Sequence, residues 1–143
     1  MLELFYNKIF IATVFSTVLA QLIKTLLDVL QTKRFERSSL FRGAGMPSSH
    51  TSTVVSLSIG VFIVEGVNTV SIITFVFASI VVRDVIGDKV FATQQQNIIN
   101  IIIQDIVENK KIERNHLIGH SALEVLFGIL IAIFSIFVIF VLF

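Results

Sequence analysis

The sequence predicts an all-α polytopic membrane protein, a helical bundle of about four transmembrane helices plus a short interfacial or re-entrant helix. Three observations predict it. Hydrophobic residues make up 55% of the 143 and charged residues only 15%, whereas a soluble domain carries about 25% charged residues. The apolar residues gather into four long runs. The single proline, Pro47, lies at the start of one run and interrupts none of their interiors. The length suits one domain, taken as 1–143. With no cysteine, a disulfide framework, a cysteine zinc finger and a cysteine nucleophile are excluded. Fourteen phenylalanines against one tyrosine suit apolar packing in lipid.

The first run, Ile9 to Leu30, has 22 residues. As a helix it is about 33 Å long, enough to cross a hydrocarbon core of about 30 Å. Lys8 followed by the run and by Val18-Leu19-Ala20 has some features of a cleaved signal peptide. Glu3 in the region that should be basic, and apolar residues continuing to Leu30, favour a retained helix. The second run starts at Pro47 and reaches about Val64; the third spans Val67 to about Ile86. Only Glu65-Gly66 separates them, and Asn68 follows close behind, so the two form a helical hairpin. The isoleucine-rich stretch Asn97 to Val107 is too short to span. Gln94-Gln95-Gln96 and Glu108-Asn109-Lys110-Lys111 bound it, so it is expected as the separate short helix. The last run, Leu117 to Phe143, has Glu124 near its start.

Four crossings put both termini on one side. Lys24, Lys33, Arg34, Arg37, Arg42, Arg83, Lys89, Lys110, Lys111 and Arg114, ten of the eleven basic residues, then lie toward the other side. Cytoplasmic loops carry the Lys/Arg excess. The basic face is therefore expected in the cytoplasm and the termini outside it, in a bacterial-type inner or plasma membrane. The basic residues flank membrane runs, and no nucleic-acid partner is expected.

Two segments carry chemistry, and both fall on the basic face. In the first, Gly43 and Gly45 let the backbone turn closely around a ligand. Pro47 suits the first turn of the following helix. Free N–H groups at that helix start, with the Ser48 and Ser49 hydroxyls, make an anion site, and His50 faces the same space. Read alone, the segment is also an ordinary helix cap with an incidental histidine. In the second segment, His120 and Glu124 are four residues apart and share a helix face. The carboxylate can accept one ring N–H, leaving the other ring nitrogen to attack or to bind metal. Arg114 is a planar, permanently charged phosphate partner. An unpaired carboxylate at a bilayer centre costs about 2.5–3.5 kcal/mol or more, so even the shallower Glu124 needs a partner, and His120 is the nearest. Read alone, these two are an interfacial histidine and a snorkelling glutamate.

These residues resemble a known superfamily. Pro47-Ser48-Ser49-His50 is similar to the second motif, Pro-Ser-Gly-His, of the type-2 phosphatidic acid phosphatases. Arg114, His120 and Glu124 have the spacing of the third, Ser-Arg-x5-His-x3-Asp, with Glu for Asp and Glu113 where Ser is usual. More closely, the chain resembles the small divergent branch, related by name to acid phosphatases and vanadium-dependent haloperoxidases. That branch shows Ala-Gln-x-x-Lys, matched by Ala20, Gln21 and Lys24, then Gly-Met-Pro-Ser-Ser-His, matched at 45–50. Asp-x-x-Gly-x-Arg is matched by Asp84, Gly87 and Lys89, with Lys for Arg; Gln95, Asn100 and Gly119-His120 through Glu124-Val125 follow in order. The superfamily's first motif, Lys-x6-Arg-Pro, is absent: Gln31 stands where its Arg would be.

The resemblance implies a metal-independent membrane phosphatase. His120 would attack phosphorus and become phosphohistidine, Glu124 would orient it and His50 would protonate the leaving oxygen. Lys24, Arg42, Lys89, Arg114, Ser48 and Ser49 would bind the phosphate, supported by Gly45, Pro47 and Gly119. Asp84 would repel a phosphate, so it is expected to pair with Lys24, Arg83 or Lys89; holding a magnesium ion is the lesser alternative, and no cofactor is otherwise expected. A site at the membrane face suits an amphiphile, a lipid phosphate or isoprenoid pyrophosphate. Four helices make a thin site wall, which a homodimer would complete. The main rival is a non-enzymatic protein that binds or translocates phosphate headgroups, since intramembrane Lys24, Asp28, Arg83 and Asp84 are functional residues by default. A zinc site at His116, His120 and Glu124, haloperoxidase chemistry and a purely structural role are weaker rivals.

Overall fold

The computed structural model describes residues 7–33, 45–106 and 122–142. They form four helices: α1 (Lys8–Thr32), α2 (Ser49–Glu65), α3 (Thr69–Ile106) and α4 (Ala122–Leu142). Three stretches, Lys8–Leu30, Thr69–Gly87 and Ala122–Leu142, are long and apolar enough to cross a membrane. Helix α2 is apolar but only 17 residues long, about 26 Å. It is the central helix, packed against the other three, and α1 also packs on α4. Among the described residues α1 and α3 make no helix–helix contact.

Each helix end is set locally. Asn7 caps α1, its side chain accepting from the Ile9 and Phe10 N–H groups at 2.9 and 3.3 Å. Lys33 closes that helix in the left-handed region and donates to the Val29 carbonyl. Helix α2 ends at Gly66, whose φ of 67° favours glycine. Helix α3 starts with a reciprocal capping pair: the Ser71 N–H donates to Asn68 Oδ1 and the Asn68 N–H to Ser71 Oγ, at 2.9 and 2.8 Å.

Two expectations are corrected here. The isoleucine-rich stretch is not a separate short helix. It is the end of α3, which runs unbroken for 38 residues, about 57 Å. Glutamine is a good helix former, so Gln94-Gln95-Gln96 marks a polar band and not a break. Pro47 does not occupy the first turn of α2. Ser48 is the N-cap and Ser49 the first helical residue, because the Ser48 hydroxyl accepts the Thr51 N–H at 3.3 Å. Helix α1 runs unbroken through Ala20 and buries Ala12, Ser16 and Ala20 fully.

Packing inverts the soluble pattern. Large apolar side chains such as Phe75, Ile73 and Phe137 are exposed, as lipid-facing residues should be, while Ser16, Thr51, Ser52, Ser56 and Ser135 are buried. Without a hydrophobic force between helices in lipid, small residues and interhelical hydrogen bonds hold them together. Along α1 the buried residues Ala12, Ser16, Ala20 and Lys24 recur every fourth position, the spacing of one helix face. That face meets α2 through crossed hydrogen bonds, Ser16 Oγ to the Ser52 carbonyl at 3.2 Å and Ser52 Oγ to the Ser16 carbonyl at 3.4 Å. A Thr17–Thr53 hydroxyl pair adds a bond at 2.7 Å. Other hydroxyls, on Thr13, Thr25 and Ser79, bond carbonyls one turn back, so they enter lipid satisfied.

Candidate functional site

The contacts order the two chemical segments in space. Ile9 lies against Gly60, Ser16 against Ser52 and Lys24 against Gly45, so α1 runs antiparallel to α2. Gly128 lies against Ser48 and Thr51, and Ile136 against Gly60, so α4 runs parallel to α2. The end of α1, the start of α2 and the start of α4 therefore converge at one end of the bundle.

Gly45, Pro47, Ser48, Lys24 and Glu124 meet there. The Ser48 N–H donates to the Glu124 carbonyl at 3.0 Å. One turn along, a Cβ added to Gly128 would stand 2.7 Å from the Ser48 carbonyl oxygen and 2.9 Å from Thr51 Cβ. Only glycine permits this approach of α4 to the start of α2. Gly45 has φ +129°, and a Cβ there would stand 3.1 Å from Lys24 Cε. The turn thus lies directly over the lysine stem. Lys24 is 4% exposed and interacts electrostatically with Glu124 on α4 and with Asp28 one turn further along α1. An ammonium inside a membrane bundle requires such partners.

Other expected residues are placed differently. Ser48 is fully buried, its hydroxyl engaged in the cap. Ser49 is half-buried and His50 exposed at the first turn of α2. Asp84 is exposed on α3, beside exposed Arg83. Pairing of Asp84 with Lys24 is not what the structure shows: the lysine's carboxylates are Glu124 and Asp28, and α3 does not touch α1 among the described residues. Lys89 belongs to α3. His116, His120, Gly119, Arg42 and Arg114 lie outside the described residues, so the zinc triad and the His120–Glu124 pair are not seen.

Sequence reasoning missed the Lys24–Glu124 link and Gly128. Signals for both exist. Lys24 continues the four-residue spacing of Ala12, Ser16 and Ala20, and Gly128 is four residues after Glu124 on the same face. An apolar groove of about 380 Å³ lies elsewhere, on the α2–α3 seam, lined by Ser58, Ile59, Phe62, Val67, Ser71 and Phe75.

These features define a polytopic α-helical membrane protein with a polar cluster at one end of its bundle. The chain belongs to the Divergent PAP2 family, whose model matches residues 5–135. It is similar to YuiD, an uncharacterized membrane protein of Bacillus subtilis strain 168, at 27% identity over 89% of this chain and 90% of that one. No solved structure matches it.

Proposed function

We propose that the protein is a membrane phosphatase acting on a lipid phosphate or isoprenoid pyrophosphate through a phosphohistidine. The observation that carries this reading is the convergence of the Gly45–Ser48 turn with Glu124 at one end of the bundle. It sets Ser48, in the segment that resembles the phosphatases' second motif, against Glu124, the last residue of the segment that resembles the third. Family membership supports the fold side of the reading.

In the proposed reaction a ring nitrogen of His120 attacks phosphorus, and the bond from phosphorus to the leaving oxygen breaks. His50 gives that oxygen its proton. Water then attacks the phosphohistidine, His50 takes the water's proton, and phosphate leaves with His120 restored. Glu124, at the start of α4, orients His120. Arg42, Lys89 and Arg114, with Ser49 at the start of α2, meet the charge on the phosphoryl oxygens. The exposure of His50 suits a group that exchanges protons with leaving group and water. The mechanism calls on no metal. The substrate's tail would lie along the apolar exterior of the helices. The basic face is assigned to the cytoplasm by its Lys/Arg excess, so the headgroup is presented from the inner leaflet.

The test is phosphate release in detergent micelles with chelator present, from phosphatidic acid, phosphatidylglycerophosphate and a polyprenyl pyrophosphate. Wild type should release phosphate from at least one, and His120→Ala from none. Equal release by both discards His120 as nucleophile. Headgroup binding without release by wild type replaces the hydrolase with a binding or translocating protein.

A further inference from the structure

We infer that Lys24 is a positioning residue that clamps the Glu124 carboxylate, and that the substrate's phosphate charge is met by other cations. The inference rests on the phosphatase reading above and changes the role that resemblance suggests for Lys24. Four observations carry it. Lys24 is the fourth member of the buried α1 stripe Ala12, Ser16, Ala20, Lys24, so its side chain is directed into the bundle and not toward the membrane face. Its stem is covered by the Gly45 turn, with 3.1 Å between Lys24 Cε and the position of a Cβ at 45. Glu124 and Asp28 are the carboxylates whose charges act on it. The Glu124 backbone is itself tied to that turn by the Ser48 N–H.

One ammonium acted on by two carboxylates leaves the cluster with no net positive charge to offer a dianion. A phosphate reaching Lys24 would have to displace the turn and repel both acids. The same ammonium is well placed to hold one carboxylate. Glu124 has its main chain bonded to the turn at Ser48, its neighbour Gly128 seated on Ser48 and Thr51, and its side chain drawn toward α1. The turn then holds its main chain while the ammonium attracts its carboxylate, which is what an orienting residue requires. Asp28 balances the pull from the α1 side.

A double-mutant cycle on the full chain in detergent tests the clamp, using Lys24→Met, Glu124→Gln and the pair. Lys24→Met should lower kcat at least tenfold on phosphatidic acid micelles and leave KM within about twofold. Inhibition by inorganic phosphate should be unchanged. The double variant should be no slower than Glu124→Gln alone, and Lys24→Arg should recover part of kcat. A tenfold rise in KM and in the phosphate inhibition constant with kcat kept would overturn the clamp, as would independent, multiplying losses. Melting temperatures of the same four proteins give a readout that needs no turnover. Coupled shifts in a wild type that hydrolyses nothing would keep the clamp and discard the phosphatase; additive shifts would discard the clamp. If Lys24→Met does not fold, Lys24→Gln, which also removes the charge, enters the cycle in its place.

Discussion

At Gly128 a single missing methyl group decides how close two chemical segments come. The Gly128→Ala variant must move α4 away from Ser48 and Thr51, because the added carbon would sit 2.7 Å from a backbone oxygen. Overpacking of this kind costs about 1–3 kcal/mol. The expected outcome is a lower melting temperature in detergent together with slower turnover; an unchanged melting curve would contradict the close approach. At Ser48 the hydroxyl caps α2, so Ser48→Ala should cost about 1 kcal/mol, read as a small downward shift in the same assay. The Gly45–Ser48 turn and Glu124 could be singled out in the sequence because each lies in a short, ordered spacing within one stretch of chain. The Lys24–Glu124 link could not. It joins residues 100 positions apart, and which faces of α1 and α4 meet depends on how both pack around α2. The same applies to Asp84, whose partners were guessed from charge while the helix order keeps it from Lys24.

At the scale of elements, the α1–α2 seam is held by small residues and crossed hydroxyl bonds. Interhelical hydrogen bonds in membranes average about 0.6 kcal/mol, so Ser16→Ala should be mild. Ser16→Leu should be severe, because a large side chain must enter a fully buried position facing Ser52. Detergent-solubilised yield and melting temperature check the contrast; similar losses in both variants would argue against a close crossing. Helix α3 continues about 28 Å past the end of its apolar span at Gly87. The chain has no cysteine, so single cysteines report cleanly. In permeabilised vesicles a maleimide that does not enter the bilayer should label Gln95→Cys and leave Phe75→Cys unlabelled; protection of both would bring the second half of α3 back to the membrane. The apolar runs gave the helices away. The continuity of α3 was hidden because a drop in hydropathy reads as an end, whereas helix propensity persists through glutamine.

For the whole molecule, the packing directions make α1 antiparallel to both α2 and α4, which places the Lys33 end, the Gly45 turn and the start of α4 on one face. The Glu65–Asn68 connection lies at the other. In right-side-out vesicles Val67→Cys should be labelled from outside and Lys33→Cys only after permeabilisation; the reverse would place the basic face outside. That these helix ends share one face was legible from the alternation of crossings. The inversion of the core was not, since serines and threonines are spread through the apolar runs and only their burial shows them facing inward. The proposed reaction turns on a covalent phosphohistidine at the end of the bundle where the Gly45 turn meets Glu124. The most direct measurement is trapping: wild type and His120→Ala are incubated with radiolabelled lipid phosphate, quenched in alkali and counted as protein-bound label. Acid-labile, alkali-stable label is expected on wild type and none on His120→Ala. Phosphate released by a wild type that never carries label, or label that survives in His120→Ala, would contradict it.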